Sequence, residues 1–212
     1  MGDAGWEQGT KWRKGLSEGE VAKIEAAWSI RFPPDYRLFL HRLHTVDRPT
    51  KGIGFRLAGL VARKDPSFYN WQHESGSLRR MFAWPLEGLL FDVEHNNLWL
   101  EGWGAKPESL ASRTSHLTEL VRRAPQLIPV YAHRYLLAEP HAPGNPVFSI
   151  WQDDIIVYGQ DLRSYFLAEF ADLLGLNRRR DHSVEVDEET MRKVQGVPFW
   201  GELIARNGVS RD

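Results

Sequence analysis

The chain has 212 residues, with 27 lysines and arginines against 28 aspartates and glutamates, so its formal net charge is -1. This length suits one large domain or two very small ones, and a hydrophobic share of 42% excludes wholesale disorder. The balanced charge argues against a dedicated nucleic-acid-binding protein, which would carry a basic excess. Cysteine is absent, which excludes disulfides, thiol catalysis and zinc sites with cysteine ligands.

Neither a secretory signal nor a membrane span is recognisable. Residues 1–6 lack a basic region that leads into an apolar stretch. No apolar run approaches the roughly 20 residues that cross a bilayer. We therefore expect a soluble cytoplasmic protein that makes no membrane contact.

The N-terminal part predicts a helical hairpin after a flexible arm at 1–15. Ser17, with Glu20 three residues later, is the pattern of a capping box and predicts a helix that ends near Ser29. Pro34 suits the first turn of a second helix. The apolar faces of the two helices carry Val21, Ile24 and Trp28, then Tyr36, Phe39, Leu40 and Leu43.

The middle of the chain reads as strands and turns. Alternating apolar residues predict strands at 53–57 and 88–93. His95-Asn96-Asn97 predicts a hairpin turn, with a strand returning at 98–100. The stretch 63–82 is irregular.

The second half alternates helices and strands. Pro107 opens a predicted helix that reaches Val121, and Asp161 caps another that ends at Gly175. Strands are predicted at Leu127–Tyr131, Pro146–Trp151 and Ile155–Tyr158, with a tight turn at 152–154. The last helix begins at Pro198-Phe199-Trp200 and docks on the core through Leu203 and Ile204.

These elements predict an α+β fold with a central, mostly antiparallel sheet flanked by N-terminal and C-terminal helices. The domain boundaries expected are a flexible arm at 1–15, an α+β domain at 16–175, a charged linker at 176–190 and a C-terminal docking helix at 191–212.

The common catalytic sequence patterns are absent. Gly52 and Gly54 lack the third glycine and the following helix of a dinucleotide-binding fingerprint, and there is no P-loop, nucleophile elbow or zinc-protease helix. His41 and His44 have the i, i+3 spacing that would place two metal-binding imidazoles together on a helix. The favoured interpretation is that these histidines are two unrelated polar residues late in a helix. We therefore expect no metal and no cofactor.

Three charged residues suggest a structural pairing. Asp153 and Asp154 are adjacent, and adjacent residues of a strand or turn rarely converge, so they are interpreted as turn residues rather than a catalytic pair. Arg134 follows an apolar strand, and a buried arginine needs a carboxylate partner. We therefore predict that Arg134 pairs with Asp153 or Asp154 across the hairpin.

Nine tryptophans are many for so rare a residue type. Trp71, Trp84, Trp99 and Trp103 all come from the middle of the chain. A rigid indole with one N–H donor suits a core, a partner-binding surface or a sugar-binding platform, and these three uses remain open.

Six segments form an ordered pattern from roughly Leu16 to Ile204. They are LSExE at Leu16–Glu20, FPPDYRxFL at Phe32–Leu40, IPVYAHRY at Ile128–Tyr135, GNPVFSI at Gly144–Ile150, DIIVYG at Asp154–Gly159 and VPFW at Val197–Trp200. The ordered set resembles the SUKH superfamily, the relatives of the yeast Smi/Knr cell-wall-synthesis regulator. The resemblance implies an α+β fold with a central antiparallel sheet. It also implies a non-enzymatic role, since many bacterial members are immunity proteins against polymorphic or contact-dependent toxins, often nucleases.

The leading hypothesis is therefore a monomeric cytoplasmic protein that neutralises a cognate toxin domain by occluding its active site. Nuclease inhibitors offer acidic groups to a basic cleft, and electrostatic complementarity speeds their association. Acidic residues and tryptophans stand together in the middle of the chain, and the predicted partner surface is Trp84, Glu87, Asp92, Glu94, Trp99, Glu101 and Trp103.

Two other functions are carried as alternatives. A regulatory or scaffold module related to cell-wall synthesis or signalling would have several weak partners. A hydrolase or carbohydrate-active protein would need two carboxylates about 5–9 Å apart in a cleft lined by tryptophan.

Overall fold

In the computed structural model, the described part of the chain is residues 11–47, 56–57, 60–61, 68–170 and 186–207. Its helices are α1 (Glu18–Trp28), α2 (Pro34–Arg42), α3 (Ser75–His95), α4 (Leu110–Arg123), α5 (Leu162–Glu169), α6 (Glu188–Gln195) and α7 (Trp200–Asn207), with a 3-10 turn at Glu101–Trp103. Its strands are β1 (Trp12–Lys14), β2 (Leu43–Val46), β3 (Arg56–Leu57), β4 (Leu60–Val61), β5 (Leu127–Tyr131), β6 (Arg134–Leu137), β7 (Val147–Trp151) and β8 (Asp154–Gly159). None of the helices in these ranges is long and apolar enough to cross a membrane.

The predicted N-terminal helical hairpin is confirmed. The capping box is complete, because the Glu20 backbone N–H donates to the Ser17 hydroxyl and the Ser17 backbone N–H donates to the Glu20 carboxylate at 2.7 Å. Ser29, in the left-handed region with φ 51°, ends α1. Arg37 of α2 then holds the two helices together through an ion pair of 2.6 Å with Glu25.

Part of the predicted flexible arm is a strand. β1 pairs with β2 in antiparallel orientation, with Trp12 opposite Val46 and Lys14 opposite Leu43. The partner strand lies about thirty residues away, and local sequence patterns do not reveal such a pairing. Residues 1–10 of the arm lie outside the described part of the chain.

A four-stranded antiparallel sheet in the order β5-β6-β7-β8 forms the centre of the fold. Strands β5, β7 and β8 were predicted and are confirmed, whereas β6 was not predicted. In the register of the sheet, Tyr135 of β6 lies between Pro129 of β5 and Phe148 of β7. The described residues are thus an α+β fold with a central antiparallel sheet, as predicted.

Each face of this sheet has its own hydrophobic core. Leu136 of β6 packs in the first core with residues of α1, α2 and α5. Its neighbours Tyr135 and Leu137 pack in the second core with residues of α3, α4, α6 and α7. Successive side chains of a strand point to opposite faces, and each fully buried large side chain contributes about 1.5–3 kcal/mol. The N-terminal helices, α5 and the start of α3 with Leu78 therefore cover one face, and the rest of α3 with α4, α6 and α7 covers the other.

The predicted β-hairpin at 88–100 is wrong, because α3 occupies Ser75–His95. The helix also takes up the last part of the stretch predicted as irregular. Its buried residues include Trp84, Gly88, Leu89, Asp92 and Val93, which recur at intervals of four as in a helix with one buried face. A short apolar run such as residues 89–91 fits a buried strand as well as a helix, and periodicity over so few residues does not separate them.

Pro85 lies inside α3 and has no N–H to donate to the carbonyl of Met81. The hydroxyl of Tyr135 donates to that carbonyl instead, at 2.9 Å. Tyr135 is fully buried, and burial raises the pKa of its hydroxyl well above the ordinary value, so it remains a donor. This hydrogen bond ties α3 to the central sheet at the point where the helix loses one of its own.

Two of the three C-terminal helices, α5 and α7, follow their predicted starts, whereas α6 begins inside the predicted linker. Asp161 caps α5 through the backbone N–H of Ser164 at 2.6 Å, as predicted. The predicted end of that helix at Gly175, and most of the predicted linker at 176–190, lie outside the described residues. The described end of that linker, from Asp187, caps and begins α6. In α7, Leu203 and Ile204 are buried in the second core.

Candidate partner-binding site

The structure divides the predicted partner surface into buried and accessible residues. Trp84 and Trp103 are 7% and 3% exposed, so both belong to the second core. The indole N–H of Trp84 donates to the carbonyl of Ile150 at 3.3 Å. Trp103 stacks on Phe199 with ring centroids 5.7 Å apart. Neither indole can contact a partner, and the prediction that they form part of such a surface is corrected.

Asp92 is also buried, with 1% exposure. Its carboxylate accepts hydrogen bonds from the side-chain amide of Asn96 at 2.6 Å and from the backbone N–H of Asp153 at 2.8 Å. Burial raises the pKa of Asp92 above its ordinary value, and the hydrogen bond from Asn96 opposes that shift. Asp92 therefore holds the turn between β7 and β8 instead of meeting a partner.

The accessible remainder of the predicted surface is Glu87, Glu94 and Glu101, with a half-buried Trp99. Glu87 and Glu94 are seven residues apart on α3, which places them on the same side of the helix. The Trp99 indole donates to the carbonyl of Gly104 at 2.8 Å and packs edge-on against Trp103. Glu94 lies 3.8 Å from the Nε2 atom of His95, whereas Glu87 and Glu101 form no ion pair with the described residues.

Arg134 does not pair with Asp153 or Asp154. Its partner is Glu169 of α5, at 3.2 Å, and it also donates to the Ser149 hydroxyl at 2.9 Å. The guanidinium lies 3.9 Å from the centre of the Tyr158 ring. Arg134 lies on the face of the sheet that α5 covers. Its guanidinium therefore reaches a carboxylate of α5 and not the β7–β8 turn.

The two aspartates of that turn have other surroundings. Asp153 forms an ion pair with Arg206 of α7. Burial, and then the neighbouring charge of Asp153, raise the pKa of Asp154. Both residues are at the turn, as predicted. Asp153 connects the turn to α7, and Asp154 is exposed to solvent.

The two histidines considered as metal ligands do not share a helix. His41 lies in the last turn of α2, and its Nδ1 lies 2.7 Å from the carbonyl of Leu16. His44 is in β2, where its Nε2 accepts the backbone N–H of Trp71 at 3.0 Å. Burial lowers the pKa of His44 to about 4. Within the described residues, no group of three or more histidine and carboxylate side chains is placed to hold a metal ion.

An apolar groove of about 640 Å³ lies between α2 and α5. Leu38 of α2 and Leu167 of α5, 57% and 40% exposed, stand at this groove, which we call the Leu38–Leu167 groove. Its floor contains Phe39 and Phe166, whose ring centroids are 5.1 Å apart. Among the described residues only one other large hydrophobic side chain, Leu110, is exposed to this extent.

The charged rim of this groove is balanced. Asp35 of α2 accepts the backbone N–H of Gly144 at 3.0 Å, so its carboxylate fixes the nearby loop. Asp161 is occupied as the cap of α5. Arg42 and Arg163 supply the two positive charges, and both are exposed.

Sequence reasoning missed the Leu38–Leu167 groove. Part of the signal was present, because Leu38 lies outside the apolar face predicted for α2. An apolar residue off the buried face of a helix is common and carries little information by itself. Only the packing of α2 beside α5 shows that the two leucines share one groove.

Comparison with known proteins gives no match: no family model, no curated protein and no solved structure is similar to this chain.

Proposed function

We propose that this chain is a non-enzymatic protein-binding domain that acts in the cytoplasm and neutralises a cognate toxin domain by occluding its active site. The observation that supports a binding role is the Leu38–Leu167 groove. Large apolar side chains gathered at one concave surface favour contact with another protein, because their burial there removes apolar area from water. The ordered segments that resemble the SUKH superfamily support an immunity protein within that class.

The accessible acidic residues complement the groove in this proposal. Glu87, Glu94 and Glu101 would attract a basic partner, such as a nuclease domain, and raise its association rate. The groove would supply the apolar contact that slows dissociation. The second half of α3, which carries Glu87 and Glu94, packs on the sheet face opposite α2 and α5. These glutamates would therefore act on an approaching basic toxin domain through their charge and not by contact at the groove.

The test begins with the tagged full chain as bait in its native host, followed by titration calorimetry on the purified main partner. Leu167→Ser is compared with Leu110→Ser, because both leucines are 40% exposed and only Leu167 lies in the groove. We expect Leu167→Ser to weaken affinity about tenfold, and Leu110→Ser to change it less than about twofold.

One nanomolar partner, whose toxicity to growing cells is abolished by coexpression of this chain, is the expected result. A tight partner without toxicity would contradict the immunity role. Several micromolar partners would favour the regulatory or scaffold alternative. Equal loss of affinity in the two leucine variants would contradict the assignment of the groove.

A further inference from the structure

A second groove, of about 710 Å³, lies between the end of α1, the first half of α3 and the end of α4. Its apolar wall is made by Trp28 and Phe82, which stack with ring centroids 5.1 Å apart. The opposite wall contains Val121 and Pro125, and Arg79 stands at the rim. We call it the Trp28–Arg79 groove.

The lining of this groove is positively charged. Among its described lining residues are Arg79 and Arg122, with no aspartate or glutamate. Arg122 shares the single carboxylate of Glu119 with Arg123, at 2.7 Å and 2.6 Å. Two guanidinium groups therefore meet one carboxylate at the end of α4. The guanidinium of Arg79 forms no hydrogen bond or ion pair with any residue of the described ranges, so its charge adds to the excess.

The positions of these arginines in their helices show which of them stabilise the fold. Arg122 and Arg123 lie in the last turn of α4, where a positive charge favours the helix dipole. Arg79 lies near the start of α3, a helix with no acidic residue in its first turn. A positive charge gains nothing from the dipole at that end. Arg79 thus contributes positive potential to the groove without a visible structural role.

The Leu38–Leu167 groove and the Trp28–Arg79 groove differ in charge. The Leu38–Leu167 groove has two aspartates and two arginines in its lining, whereas the Trp28–Arg79 groove has arginines alone. Of these two grooves, the Trp28–Arg79 groove is therefore the one whose charge favours a partner of a single sign.

We infer that the Trp28–Arg79 groove binds an acidic segment of another protein, with an apolar or aromatic side chain of that segment packed against Trp28 and Phe82. Carboxylates on either side of the anchoring side chain pair with Arg79 at one rim and with the arginines at the end of α4 at the other. This site is separate from the Leu38–Leu167 groove and does not depend on the identity of the toxin.

The test uses fluorescence anisotropy with the full chain and labelled synthetic peptides. The probe is a short peptide in which glutamates flank leucine and phenylalanine. Its controls carry lysine at every glutamate position, or serine at every apolar position. Arg79→Glu is compared with Arg163→Glu, since both arginines are exposed on helices and only Arg79 lies in this groove.

We expect the acidic peptide to bind, both control peptides to bind at least about tenfold more weakly, and added salt to weaken binding. Arg79→Glu should weaken binding of the acidic peptide about tenfold, and Arg163→Glu less than about twofold. The inference is overturned if the acidic peptide does not bind, if the lysine peptide binds as well, or if the two variants behave alike. Tighter binding of a single-stranded oligonucleotide than of the acidic peptide would also overturn it.

Discussion

Asp92 and Glu87 both belong to α3, and their surroundings give them different roles. The carboxylate of Asp92 is buried and accepts hydrogen bonds from Asn96 and from the backbone of Asp153. Glu87 is exposed and forms no ion pair with the described residues. Asp92 therefore contributes to stability, and Glu87 is available for an approaching partner.

Asp92→Ala should lower the free energy of unfolding by about 2 kcal/mol, because the half-buried N–H of Asp153 loses its acceptor. Glu87→Ala on the same helix should change it by less than about 0.5 kcal/mol. Urea denaturation of the two variants measures both values. Equal stability of the two variants would contradict the role given to the Asp92 carboxylate.

The sequence could not show which acidic residues are accessible. Asp92 and Glu94 were both expected at a partner surface, and they differ because one side of α3 faces the β7–β8 turn. That turn is about sixty residues further along the chain, so no local pattern shows which carboxylate it covers. The N-terminal capping box could be predicted, because Ser17 and Glu20 interact within one turn of helix.

At the scale of elements, α3 crosses the β7–β8 turn at Gly88. A Cβ atom at this position would lie 2.9 Å from the Cα atom of Gln152. Backbone atoms cannot move aside as a flexible side chain can, so the close approach requires glycine here. Gly76, near the start of the same helix, has open space around the position of a Cβ atom.

Gly88→Ala should therefore lower the free energy of unfolding by about 1–3 kcal/mol, although alanine favours a helix more than glycine does. Gly76→Ala should leave it unchanged or raise it by up to about 1 kcal/mol. Thermal or urea denaturation distinguishes the two. A stabilised Gly88→Ala variant would show that α3 does not contact the turn as described.

The same contact shows why the sequence around Gly88 did not indicate a helix. Gly88 and Pro85 are both unfavourable in a helix interior, and together they indicate a break. Tertiary contacts explain why the helix contains both residues. Gly88 leaves room for the β7–β8 turn, and the carbonyl of Met81, which Pro85 cannot bond, accepts a hydrogen bond from Tyr135. Helices whose signals are local, such as α1, α2 and α5, could be predicted from their caps and apolar faces.

At the scale of the whole molecule, the α+β class and three of the four central strands could be predicted from alternation and turn residues. The two cores and the two grooves could not, because each joins elements that are distant in sequence. The Leu38–Leu167 groove needs α2 beside α5, and the Trp28–Arg79 groove needs α1 beside α3 and α4. Both grooves therefore arise from the packing of elements that are distant in sequence.

The whole molecule should also lose stability in mild acid because of two shielded histidines. Burial lowers the pKa of His44 to about 4, and burial together with the charge of Arg134 lowers the pKa of His133 to about 3. In the unfolded chain both imidazoles take up a proton near pH 6.5, so the unfolded state binds more protons between pH 6.5 and these lower values. The free energy of unfolding therefore falls as the pH decreases through this window.

From about pH 7 to about pH 5 each histidine should contribute a loss of about 2 kcal/mol, or about 4 kcal/mol together. Urea denaturation at both pH values measures the loss. The variant His44→Gln/His133→Gln cannot take up these protons, and a glutamine oxygen at position 44 can still accept the N–H of Trp71. Once circular dichroism shows that the variant folds at about pH 7, its stability should change little between the two pH values. An equal loss in the variant and the original chain would place the acid sensitivity in other groups.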